Sequence, residues 1–280
     1  MSPAVGSTAN RLVTFLSDFG TDDEFAAVCK GVVLQAVPGA TIIDVTHAIA
    51  PGDVRGGALA LLRAIPYFPV GVHLAVVDPG VGTDRNAVVI ETADGRHFVG
   101  PDNGLLSPSV AISGGAVAAV VLEPQAWGLG DPSPTFWGRD VFAPAAAVLC
   151  GGESMYDLGR RVDPAELTPL LVPLAQVAGG QAHGVVLWVD RFGNAQTNIT
   201  PEDLAEAGAE PGDHISFHHG NRRERMAFVR TFADVEQGRL LAFVDSTGQV
   251  AIAVNGASAA AELGLTTGAP VRISRAGAPL

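Results

Sequence analysis

Short apolar runs alternate with helix-period patterns through the first half of the chain. Residues 12–16, 41–45, 72–77, 87–91, 97–99 and 117–122 read as strands, and residues 24–35, 54–65 and 142–149 carry helical spacing. Pro-Gly pairs at Pro38-Gly39, Pro51-Gly52 and Pro79-Gly80 punctuate the junctions. This alternation predicts an α/β N-terminal domain with a mostly parallel central sheet over residues 1–165. A stretch of prolines and glycines at 166–181 reads as a linker. Beyond it, strands are expected at 184–189, 214–218, 226–229, 240–244, 250–254 and 270–274. They are short and turn-separated, with almost no helical pattern between them, so residues 182–280 read as a small all-β, barrel-like domain. Asn221-Arg-Arg-Glu-Arg225 reads as a solvated hairpin tip, and His218-His219 as an exposed turn or strand end.

Composition narrows the partners. Hydrophobic residues make up 48% of the 280 and charged residues 16%, which is enough apolar material for a large core and a subunit interface. The net charge of −12 disfavours nucleic acid and anionic membrane, since both would repel it. Cys29 and Cys150 each sit in an apolar stretch, the usual setting of inert buried thiols, and nothing suggests a metal site or a cofactor. The first ten residues have neither a basic start nor an apolar core, so no secretory signal is expected. No apolar stretch reaches the roughly 18 residues of a membrane span. The expectation is a soluble, cytoplasmic protein.

Four segments carry candidate chemistry. In Leu12-Val-Thr-Phe-Leu-Ser-Asp-Phe-Gly-Thr-Asp-Asp23, a strand stops at Asp18, and Asp22 and Asp23 follow at the mouth of a helix. Open α/β sheets bind ligands at that place. The three acids suit a ligand with hydroxyls or positive charge, or else they cap the helix. In Val76-Val-Asp-Pro-Gly-Val-Gly-Thr-Asp-Arg85, a second strand ends in Asp78, and a Pro-Gly turn returns Arg85 toward it. That pair either serves a site or staples the loop. Phe136 and Trp137 precede Gly138, as core filler or as a wall for a flat ligand. Asp190, Phe192 and Asn194 offer a carboxylate, an aromatic face and an amide within one turn, and an amide can satisfy a purine edge. His47 reads as a hydrogen-bonded structural histidine.

Together these segments resemble the S-adenosylmethionine hydroxide adenosyltransferases, relatives of the fluorinase and chlorinase. The resemblance runs from Leu12 to about Ile273. Its strongest pieces are Ser17-Asp-Phe-Gly-Thr-Asp-Asp23, Val77-Asp-Pro-Gly-Val-Gly82, Pro101-Asp-Asn-Gly-Leu-Leu106, Phe192-Gly-Asn194, Asp245-Ser-Thr-Gly248 and Val254-Asn-Gly256. It implies an N-terminal α/β domain, a C-terminal β-barrel, and a homotrimer with active sites at subunit interfaces. It further implies that Asp18 accepts from the ribose hydroxyls and that Asp23 and Asp190 hold the methionine ammonium. Phe136 would pack along the nucleoside, while Phe192, Asn194 and backbone near Asn255 would hold the adenine.

The implied reaction is hydrolysis of S-adenosyl-L-methionine to adenosine and L-methionine, with no cofactor. Halogenating relatives have Tyr where this chain has Asp78, and a carboxylate would repel a halide. Hydrolytic members carry Asp-Arg-His. Asp78 and Arg85 supply the first two, but Trp137 stands at the position of the His, and an indole N–H only donates. The alternative is a catalytically weak protein that senses or sequesters S-adenosylmethionine.

Overall fold

The computed structural model describes residues 11–277, which divide into two compact units between Leu170 and Leu171. The first ten residues, on which the expectation about a secretory signal rests, lie outside the described part. Among the described residues, no helix is long and apolar enough to cross a membrane.

The first unit runs β1 (Leu12–Ser17), α1 (Phe25–Ala36), β2 (Thr41–Thr46), α2 (Val54–Ala64), β3 (Val72–Val76), β4 (Ala87–Thr92), β5 (His97–Pro101), α3 (Ser107–Ile112), β6 (Ala116–Leu122), α4 (Ala143–Gly151) and β7 (Gly159–Val162). Its sheet has the order β2-β1-β3-β5-β4-β6-β7. Strands β2, β1, β3, β5 and β6 point one way, and β4 and β7 the other. β1 and β3 are buried at every position because the sheet is covered on both faces. Val13, Phe15, Leu74 and Val76 face a core shared with Cys29, Val33 and Phe142. Leu16, Ala75 and Val77 face a second core built on Leu61, Leu105 and Val110. The chain leaves β1 for β2 on one side and then returns to place β3 on the other. The carboxyl ends of β1 and β3 therefore flank a topological switch point.

The second unit contains β8 (Gln176–Ala178), β9 (Gln181–Val189), β10 (Ala195–Thr197), α5 (Pro201–Glu206), β11 (His214–His219), β12 (Arg222–Val229), β13 (Leu240–Val244), β14 (Val250–Val254), α6 (Ala259–Leu263) and β15 (Pro270–Arg275). The order β10-β14-β13-β12-β11-β15-β9 closes through a β10–β9 pairing, and β8 is added beside β9. Closure leaves no barrel edge unpaired, and Val186, Phe217, Phe228, Ile252 and Ile273 fill the interior.

Three local expectations need correction. Residues 222–225 are not a hairpin tip but the first half of β12, with the turn confined to Gly220 and Asn221. Arg223 and Arg225 sit on the solvent side of a strand whose later residues Met226 and Phe228 are buried. His218 and His219 are the last two residues of β11, the strand end that was expected, but they are half-buried rather than exposed. Finally, the helix expected over 142–149 is α4, Ala143–Gly151, and a π turn, Gly138–Phe142, carries the helical stretch further back toward Trp137.

Candidate active site

Asp18 follows the last residue of β1, and Asp78 lies two residues beyond β3. The strands are parallel neighbours with Ser17 opposite Val76, so both carboxylates are delivered to one crevice. Asp18 is held through its Oδ2, which accepts the Gly52 N–H at 2.8 Å. Asp22 and Asp23 are exposed, and the side chain of the N-cap residue of α1, Glu24, makes no capping bond. None of the three acids caps the helix, so capping does not account for them.

Asp78 and Arg85 form a fork-to-fork pair. Arg85 Nε donates to Asp78 Oδ1 at 2.7 Å, and an Nη donates to Oδ2. The other Nη donates to the Asn86 carbonyl at 2.8 Å. The flat face of the guanidinium lies 4.8 Å from the Trp137 ring centre and 5.5 Å from that of Phe142. Both members of the pair are nearly enclosed, with 11% and 6% of their side chains exposed. Burial dominates the Asp78 acidity and pushes its pKa above the usual carboxylate value, while bonds and charge from Arg85 pull it back. The negative charge of Asp18 adds to the upward push. A carboxylate so placed is a stronger base than one in water, yet a guanidinium keeps it ionised.

The surrounding loops explain the pose. Gly82 has φ +79°, and a Cβ there would stand 2.9 Å from the Pro134 carbonyl oxygen, so glycine allows the Asp78–Arg85 loop to close on the segment carrying Trp137. Gly138 comes so near Phe19 that a Cβ would meet its ring at 2.9 Å. Asn103 Nδ2 donates to the Val77 carbonyl at 2.9 Å, tying the Pro101-Asp-Asn-Gly turn to the strand end beneath Asp78. Phe136 packs edge-to-face with Phe19 and Phe25, at 6.0 and 5.1 Å between ring centres. Phe25 is 40% exposed. Phe19 and Phe25 are apolar walls beside Asp18 that the sequence reading missed, since a Phe flanking a helix start carries no signal of its own.

The barrel unit carries a second cluster. Asp190 organises a tight turn: its Oδ1 accepts the Phe192 and Asn194 N–H groups at 2.9 Å each, and its Oδ2 accepts Asn194 Nδ2 at 2.8 Å. Phe192 is left 79% exposed, whereas Asn194 is buried. Asn255 binds the Val235 carbonyl through Nδ2 at 2.9 Å, and its own backbone pairs with Arg239 and Gly238. Asp190, Phe192, Asn194, Asn255, Phe243 and Asp245 line a recess of about 780 Å³. Phe232 and Phe243, 4.9 Å apart between ring centres, add an aromatic wall that was not anticipated. Their signal is weak because Phe243 sits in a strand, where aromatics usually fill cores, and Phe232 in a short 3-10 turn with no period of its own.

Comparison with known proteins gives consistent matches across both units. The family model for the SAM hydroxide adenosyltransferase N-terminal domain matches residues 13–159, and that for the C-terminal domain matches residues 184–272. A Salinispora tropica protein named (R)-S-adenosyl-L-methionine hydrolase is 47% identical, with 94% of this chain and 97% of the relative covered. A fluorinase from Actinoplanes sp. is 31% identical over 96% of this chain and 99% of that protein. The crystal structure of an uncharacterized conserved protein from Thermotoga maritima superposes with a TM-score of 0.86 at 36% identity, covering 94% of this chain and all of the other.

Proposed function

The chain belongs to the SAM hydroxide adenosyltransferase family, and from that premise we propose that it hydrolyses S-adenosyl-L-methionine to adenosine and L-methionine. The observation that carries this reading is the buried Asp78–Arg85 pair at the switch point, beside Asp18. The leaving methionine sulfur is already cationic and needs no acid, so catalysis rests on the nucleophile and on alignment at the ribose C5′. Free hydroxide made at pH 7 from water of pKa about 15.7 costs roughly 12 kcal/mol, at about 1.36 kcal/mol per unit. Asp78 orients the water and accepts its proton late in the in-line displacement, which avoids meeting that cost beforehand. Arg85 keeps Asp78 ionised and offers positive potential to the hydroxide-like oxygen.

Asp18 accepts from the ribose hydroxyls through the lone pairs that Gly52 leaves free. Asp23 and the remaining lone pair of Asp190 hold the ammonium, Phe136 lines the nucleoside, and Phe192 and Asn194 take the adenine with backbone next to Asn255. These groups come from two units, and we propose a homotrimer in which each active site takes one unit from each of two neighbouring subunits. Sedimentation equilibrium is expected to give three times the 28.7 kDa chain mass or a multiple of it. A monomer with full activity would refute the shared site.

Incubation with S-adenosyl-L-methionine, followed by timed chromatography, should show adenosine and methionine rising in equal amounts. Ligand recovered unchanged would sink the hydrolase reading in favour of a binding protein. Trp137 replaces an imidazole by a stacking surface for Arg85. Trp137→His is expected to keep or raise turnover, because the smaller ring still faces the guanidinium and adds an acceptor. Trp137→Ala is expected to lower kcat about tenfold as Arg85 loses one wall. A folded Trp137→His enzyme that forms no adenosine would show the indole itself to be required.

A further inference from the structure

The loop that carries Asp18 is held by one histidine. His47, at the end of β2, is buried, and its ring Nδ1 lies 2.7 Å from Ser17 Oγ. The same Ser17 oxygen accepts the Phe19 N–H at 3.3 Å, so its hydroxyl hydrogen is free to donate to Nδ1. The other ring nitrogen, Nε2, stands 3.1 Å from Asp44 Oδ1, within ion-pair distance but without hydrogen-bond geometry. Asp44 is in turn bound by Lys30 at 2.6 Å. The His47 backbone carbonyl accepts the Gly20 N–H at 2.8 Å, and the edge-to-face contact with Phe15, 4.7 Å between ring centres, fixes the plane of the imidazole. A single residue thus grips Ser17 with its side chain and Gly20 with its backbone, on either side of Asp18.

The order Ser17, His47, Asp44 is that of a nucleophilic triad, but this serine cannot act as one. Its side chain is fully buried and its oxygen is already an acceptor. Burial also lowers the His47 pKa, which favours the neutral ring. Gly52, at the far end of the same β2–α2 connection, supplies the bond to Asp18 Oδ2. Both ends of that connection therefore converge on one carboxylate.

We propose that His47 is a positioning residue for ribose recognition. It acts through Ser17 and Gly20 to hold Asp18 in register with the sugar hydroxyls, without touching the substrate. The proposal rests on the reading that Asp18 binds the ribose. It is separable from ordinary fold maintenance because only ligands with a ribose should sense the loss.

The experiment compares His47→Ala, His47→Asn and Ser17→Ala with the unaltered full-length protein. Each is assayed for KM and kcat with S-adenosyl-L-methionine and for inhibition by adenosine and by methionine. His47→Ala and Ser17→Ala are expected to raise KM and the adenosine inhibition constant together, about tenfold, with kcat within about threefold and the methionine constant unchanged. His47→Asn, whose amide oxygen reaches the place of Nδ1, should restore the adenosine constant. Equal weakening of adenosine and methionine, or no change in either, would overturn the proposal. Ser17→Ala removes one buried oxygen and keeps the test valid if His47→Ala does not fold. Failure of the hydrolase reading itself would appear differently, as an unaltered protein that releases no adenosine, and the comparison then runs on adenosine and methionine dissociation constants.

Discussion

Asp78→Asn is expected to cut kcat by about 10²- to 10⁴-fold while leaving KM within a few-fold, the range ascribed to one general base. The amide fills the same volume and still accepts from Arg85 through one oxygen, so packing is conserved. What disappears is the ability to take a proton from the attacking water. Binding should survive because the hydroxyl and ammonium contacts come from other acids, chiefly Asp18 and Asp23. The measurement is steady-state adenosine release across pH, with circular dichroism to verify the fold. In the unaltered enzyme, activity should fall as pH drops through the Asp78 pKa. Burial places that limb above the ordinary carboxylate range of about 3.9. In Asp78→Asn the limb should vanish along with the rate. Full turnover in the Asn variant would remove Asp78 from the chemistry and leave it as a loop staple.

Much of this arrangement was legible in the sequence, for a physical reason. β1 and β3 are buried on both faces, so they read as apolar runs interrupted only by Thr14 and His73, which bond each other at 2.8 Å. The acid beyond each run marks the sheet's carboxyl edge. The return of Arg85 to Asp78 was legible because a Pro-Gly turn over so short a span leaves few other geometries. Several elements with mixed exposure were not, although β2, mixed as well, was. β7 is a half-exposed edge strand bearing Arg160 and Arg161. The first half of β12 alternates charged outward residues in the same way, and α3 is too short to show a helical period. At the site, the stacking of Trp137 on Arg85 joins residues far apart in sequence, and nothing local encodes it. The reading of Asp190 as a group turned toward a ligand likewise missed that three bonds to its own turn occupy most of its lone pairs.

Arg85→Met separates the two tasks assigned to the guanidinium. Methionine retains the stem and much of the contact with Trp137 and Phe142, but it leaves a carboxylate in a site where only 6% of the side chain meets solvent. The downward pull on the Asp78 pKa is lost, while burial and the Asp18 charge remain, so the pKa must climb further. A larger share of the base is then protonated at any given pH and the positive potential at the attacking oxygen is lost, so kcat is expected to fall about 10²-fold. Raising the pH should recover part of it, with the acidic limb of the profile displaced upward. Stability should move the opposite way. A carboxyl whose folded pKa lies above its unfolded value stabilises the fold fully below the unfolded pKa, and that contribution is lost as pH rises through the folded pKa. The variant should therefore lose Tm relative to the unaltered protein as pH increases, toward the 3–5 kcal/mol typical of an unpaired buried charge. Arg85→Lys keeps the charge without the fork, and its pH profile should fall between the two. A rate loss that no pH restores would assign Arg85 to the transition state directly, beyond its hold on Asp78.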